Sequence, residues 1–128
     1  PQDWATHMIG HELTALYNID HARTLAILTK SLYTYNLETK KDKLAQMAER
    51  VWGVAEGSTG EKAQQAIDRI ESFYHSLGIK TKLSEYTDEY QGTAEIIEQR
   101  FAERGMMAIG EQKNMDPKAV AQIVEMSY

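Results

Sequence analysis

With 128 residues, 42% of them hydrophobic, the chain is long enough to enclose one core, burying about two-thirds of its unfolded surface. It has no cysteine, which excludes disulfides and thiolate metal ligands, and its formal net charge of −5 gives no pull toward phosphate backbones, so nucleic acid is not an expected partner. No apolar run approaches the ~20 residues that cross a bilayer, and the opening PQDWATH lacks the basic and apolar regions of a signal peptide; a soluble, cytoplasmic protein without membrane partners is expected.

Helical periodicity dominates, and the predicted fold class is all-α: six amphipathic helices joined by turns rich in Gly, Asn, Asp and Pro. The first runs from about Trp4 to Tyr17, with Asp3 as N-cap and Asn18 as stop. The second begins near His21 behind Asp20 and reaches about Tyr35. Its Leu25, Ala26, Ile27, Leu28, Leu32, Tyr33 and Tyr35 leave little polar face, so this helix is expected at the centre of the bundle. The third, from about Lys41 to Ala55, aligns Leu44, Met47, Ala48, Val51 and Trp52. After a loose stretch at Gly57-Ser58-Thr59-Gly60, Ser58 and Glu61 have capping-box spacing. The fourth helix carries the cleanest stripe, Ala63, Ala66, Ile67, Ile70, Phe73, Tyr74 and Leu77, all expected inward, and stops at Gly78. Ile79 to Leu83 alternates like a strand but has no partner, so it is read as an extended connector, and no sheet is predicted. The fifth helix runs from Asp88 or Tyr90 to Arg104, with Ala94, Ile97 and Phe101 inward. The sixth opens with Asp116-Pro117 and buries Val120, Ile123 and Val124.

Three of the four histidines, His7, His11 and His21, fall within fifteen residues. His7 and His11 are four apart on one helix; at ~100° per residue they point about 40° apart, one turn along the same face, and Thr14 shares that face. The short turn Asn18-Ile19-Asp20 folds the next helix back, bringing His21 toward His7. The pattern H-x3-H-x9-H leaves two readings open: a solvated helix face, or nitrogen ligands for a divalent metal gathered from two consecutive helices. His11-Glu12 begins like the zinc-protease motif H-E-x-x-H, but its fifth position is Ala15, so the second ligand is missing. His75 stands alone at a helix end and reads as a surface residue. Trp4, Met8 and Leu16 read as core rather than pocket.

The stretch DWATHMIGHELTALYNIDHARTLAI resembles the metal-binding signature of the iron-containing alcohol dehydrogenases, and closely that of their branch of NAD(P)H-dependent butanol dehydrogenases and broad aldehyde reductases. FYHSLGIKTKLSEY and the segment from Gly105 to Ser127 resemble that branch's carboxy-terminal end more loosely. The resemblance implies an amino-terminal nucleotide-binding α/β domain followed by an all-helical domain that holds one divalent metal, Fe(2+) or in some members Zn(2+). It implies that His7 and His21 are metal ligands. His11 corresponds to the additional histidine in the cleft beside nicotinamide and substrate, the catalytic candidate. The family's other two ligands, an aspartate and a histidine, lie upstream of the signature.

The chain is therefore expected to be a fragment, residues 1–128 of the helical domain without the N-terminal nucleotide-binding domain, and inactive alone. The full-length enzyme, a homodimer by the resemblance, would interconvert small primary alcohols and aldehydes with NAD(P)H. The competing expectation is a free-standing helical metal-binding or protein-interaction module without enzymatic activity.

Overall fold

The computed structural model describes residues 5–106, 109 and 115–128. Among these residues six α-helices follow in order: α1 (Ala5–Tyr17), α2 (His21–Tyr35), α3 (Leu37–Trp52), α4 (Thr59–Ser76), α5 (Thr93–Glu103) and α6 (Pro117–Met126), with a 3₁₀ turn at Leu83–Glu85. Among the described residues there is no strand, only a lone antiparallel bridge between Ile109 and Met115. No helix among them is long and apolar enough to cross a membrane. Asp3 and Trp4 lie outside the described residues, as does part of the segment from Gly105 to Ser127.

Local chemistry sets the helix ends. Asp20, Ser58 and Asp116 accept hydrogen bonds from the backbone N–H groups of Arg23 (3.0 Å), Glu61 (3.2 Å) and Ala119 (2.8 Å), each satisfying a donor that the first turn leaves open. α3 differs from expectation at both ends. It starts at Leu37 rather than near Lys41 because Asn36 serves two helices at once. The Asn36 N–H closes α2 on Leu32 O at 3.0 Å, while its carbonyl accepts from Thr39 and Lys40 at 3.1 and 3.0 Å. The same helix ends at Trp52 because Gly53 turns left-handed, with φ +67°. Likewise α5 begins only at Thr93, behind left-handed Gly92.

The helices pack as three pairs, α1 with α2, α3 with α4 and α5 with α6, and α2 also touches α3, α4 and α6. Its expected central place is thus correct. The main core joins Ile9 and Leu13 of α1, Ile27, Leu28 and Leu32 of α2, Ile97 and Phe101 of α5, and Val120, Ile123 and Val124 of α6. A smaller core between α3 and α4 gathers Leu44, Ala48, Ala63, Ala66 and Ile67. That second core does not reach the whole of either apolar stripe. Phe73 and Leu77, expected inward, are 57% and 59% exposed, and Val51 is 62% exposed. Polar ties hold the pairs together: Lys30 to Glu71 links α2 to α4, Lys62 to Glu49 links α4 to α3, and Ser127 Oγ donates to Ser31 Oγ at 2.8 Å, linking α6 to α2.

Candidate metal centre

The turn between α1 and α2 decides where the histidines meet. Asn18 is left-handed, with φ 56°, and its N–H donates to Thr14 O at 2.8 Å. Ile19 is buried beneath the turn, and Asp20 caps α2, so that His21 becomes the first helical residue of α2. Thr14, expected on the histidine face, gives its hydroxyl to the turn instead. Its Oγ1 donates to Ile19 O at 2.8 Å and lies 3.3 Å from Gly10 O. Because asparagine tolerates the left-handed region and β-branched residues do not, Asn18→Val should cost about 1–2 kcal/mol and Asn18→Gly almost nothing. Thermal unfolding of the two variants checks this; equal loss in both would mean that the backbone angle is not what Asn18 supplies.

This turn brings all three imidazoles together. The rings of His7 and His21 have centroids 4.9 Å apart with planes inclined at 60°, and those of His11 and His21 are 6.0 Å apart and inclined at 24°. His7 is half-buried, whereas His11 and His21 are exposed. With metal–nitrogen bonds of about 2.0–2.1 Å, two imidazoles on one tetrahedral ion place their centroids roughly 5 Å apart. The His7–His21 pair fits that requirement, and neutral nitrogen donors suit Fe(2+) or Zn(2+) equally. Among the described residues, no group of three His, Cys, Asp or Glu side chains is arranged to hold an ion. What the chain offers is a pair of neighbouring imidazoles with a third alongside.

Beside this cluster, Glu12 is a residue that sequence reading missed. It is buried, with its side chain 4% exposed, and its carboxylate accepts hydrogen bonds from Arg100 on α5 at 2.9 Å and from Arg104, which caps the end of that helix. Burial alone would raise its pKa. The hydrogen bonds and charges of the two guanidinium groups outweigh that and hold the carboxyl below the ordinary glutamate value. α1 is thereby tied to α5 one residue after His11. Arg100 and Arg104, one turn apart and flanking inward-facing Phe101, were the available signal.

A cavity of about 660 Å³ opens beside His7, lined among others by Leu25, Tyr33, Trp52, Phe73 and Tyr74. Apart from Thr6 and His7 of α1, its walls come from α2, α3 and α4, mostly from residues whose periodicity reads as core, which is why the sequence does not disclose it. Met8, read as core, is 36% exposed, whereas Leu16 does pack against the main core. His75 is exposed at the end of α4, as expected, with Nε2 2.9 Å from Thr81 Oγ1.

Comparison with known proteins identifies the family and the fold. Residues 1–128 match the Fe-containing alcohol dehydrogenase family, C-terminal. The NADPH-dependent aldehyde reductase YqhD of Escherichia coli is 44% identical over 115 residues, covering 90% of this chain and 30% of that protein. The probable NADH-dependent butanol dehydrogenase 1 of Bacillus subtilis is 33% identical over 127 residues, covering 98% of this chain and 32% of that one. The substrate- and cofactor-free structure of the E. coli reductase superposes with a TM-score of 0.93 at 41% identity, over all of this chain and 33% of that chain. The chain thus spans about a third of the length of the relatives it matches. A helical bundle that pairs two histidines across α1 and α2, and matches that family along its whole length, belongs to the iron-containing alcohol dehydrogenases, in the C-terminal helical part of their fold.

Proposed function

We propose that this chain is the metal-site portion of an NAD(P)-dependent alcohol dehydrogenase that interconverts small primary alcohols and aldehydes, with His7 and His21 as two ligands of one divalent ion. The observation that carries the reading is the 4.9 Å separation of those two rings. The remaining ligands and the N-terminal nucleotide-binding domain would come from the rest of a longer, homodimeric, cytoplasmic protein. A divalent ion held here, Fe(2+) or Zn(2+), supplies a Lewis acid for the carbonyl oxygen that gains charge as an aldehyde is reduced. The nicotinamide supplies the redox chemistry.

His11 has a different task. Its exposed ring lies beside His21, one turn along α1 from His7, where it can hydrogen-bond the substrate oxygen and relay its proton. This catalytic role separates from metal binding in a direct test. In the full-length protein, which should oxidise NADPH or NADH in the presence of a primary aldehyde, His11→Ala should cut turnover by about 100-fold or more while metal content stays near wild type. Equal loss of metal and turnover would contradict the role. The isolated chain, holding half a site, should bind the ion weakly; tight stoichiometric binding would favour a free-standing metal-binding module instead.

A further inference from the structure

Gly10 lies in the middle of α1, where glycine is the poorest helix former after proline, so its place there calls for a packing reason. A β-carbon at Gly10 would sit 2.8 Å from Thr24 Oγ1 and 3.3 Å from Thr24 Cβ. Both residues are buried. Nor can Thr24 swing aside: it is β-branched, and its Oγ1 donates to the carbonyl of His21 at 2.7 Å. Gly10 follows His7 by three residues, and Thr24 follows His21 by three. The contact therefore lies about one turn from each histidine, one partner on each helix.

We propose that the Gly10–Thr24 contact is a positioning element that sets the separation of the His7 and His21 rings, and so the reach of the metal site. Its consequence for the metal rests on the function proposed above. The magnitudes favour it. Ordinary contact begins at 3.4 Å, so a methyl at Gly10 requires the helices to part by about 0.6 Å at the 2.8 Å approach, whereas metal–ligand distances tolerate about ±0.2 Å. Thr24→Ala would remove Oγ1 and leave Cβ at 3.3 Å, close to ordinary contact. Alanine at both positions should therefore restore the approach that alanine at Gly10 alone destroys.

The test compares the wild-type chain with Gly10→Ala, Thr24→Ala and the double variant, each checked for helicity by circular dichroism. In the metal-free proteins, proton–proton Overhauser contacts between the His7 and His21 rings report the separation directly. Co²⁺ titration of the same substitutions in the full-length protein, followed by visible absorption, then reports the reach. Gly10→Ala should lose the ring contact and about 10- to 100-fold in Co²⁺ affinity, Thr24→Ala should keep both, and the double variant should regain both. A folded Gly10→Ala with ring contact and affinity unchanged overturns the proposal, as does a double variant no better than Gly10→Ala. Should Gly10→Ala not fold, the double variant decides alone: refolding with the ring contact restored supports the proposal, and failure to refold overturns it. Ring contacts that follow this pattern while the full-length wild type binds no Co²⁺ would uphold the positioning role and defeat the metal reading.

Discussion

Replacing either His7 or His21 with alanine should lower the affinity of the full-length protein for Fe²⁺ or Zn²⁺ by more than about 100-fold, because loss even of a group that only orients a ligand costs 10- to 100-fold. Stability should hardly change. His21 is exposed and His7 half-buried, and neither belongs to the hydrophobic core. Calorimetric titration of metal into stripped protein, beside thermal unfolding, measures the two quantities separately. His75→Ala serves as the control, since His75 is exposed at the end of α4, with its ring against Thr81, and should change neither. If a single alanine at His7 or His21 left the affinity intact, the two rings would not share an ion, however near they lie.

The second large effect is on stability and falls on Glu12. Glu12→Ala removes a buried carboxylate and leaves two arginines without it. Because the side chains of Arg100 and Arg104 are 35% and 53% exposed, both can regain water, and the loss should be about 2 kcal/mol rather than the ~3–5 of a fully buried pair. That corresponds to a fall of roughly 5–10 °C in Tm. The pH dependence has a definite sign. The folded pKa is lowered, so the contribution of Glu12 is complete above the ordinary glutamate value of 4.5 and disappears as pH falls through the lower folded value. Wild type should lose stability on acidification below about pH 4.5 more steeply than Glu12→Gln. Asp20 and Glu71 also have lowered values, held by Arg23 and Lys30, but they are present in both proteins and cancel in the comparison. Parallel acid profiles would show that the carboxylate of Glu12 contributes nothing through its charge.

What the sequence discloses is what short-range chemistry decides. Asn18 as a stop and Asp20, Ser58 and Asp116 as caps depend on neighbours within a few residues, and each occurs where the pattern places it. The approach of His7 to His21 was legible for the same reason, since it requires only helical spacing and one tight turn. Glu12 was not, because its partners lie 88 and 92 residues away and nothing local to α1 announces them. Periodicity also fails where it must count neighbours. It places Phe73, Leu77 and Val51 on apolar faces correctly, but cannot say whether another element covers those faces, and here nothing among the described residues does. Asn36 escaped notice because one residue ends one helix and begins the next, a double use that capping patterns treat as two separate events. Gly10 drew no reading from the sequence, because its close approach to Thr24 depends on how α1 and α2 pack.

Anomalous diffraction from crystals of the full-length protein loaded with Zn²⁺ tests the assignment most directly. A peak within about 2.0–2.1 Å of one ring nitrogen on each of His7 and His21 is the predicted result. A zinc peak that touches only one of those rings, or lies elsewhere in the protein, would contradict it.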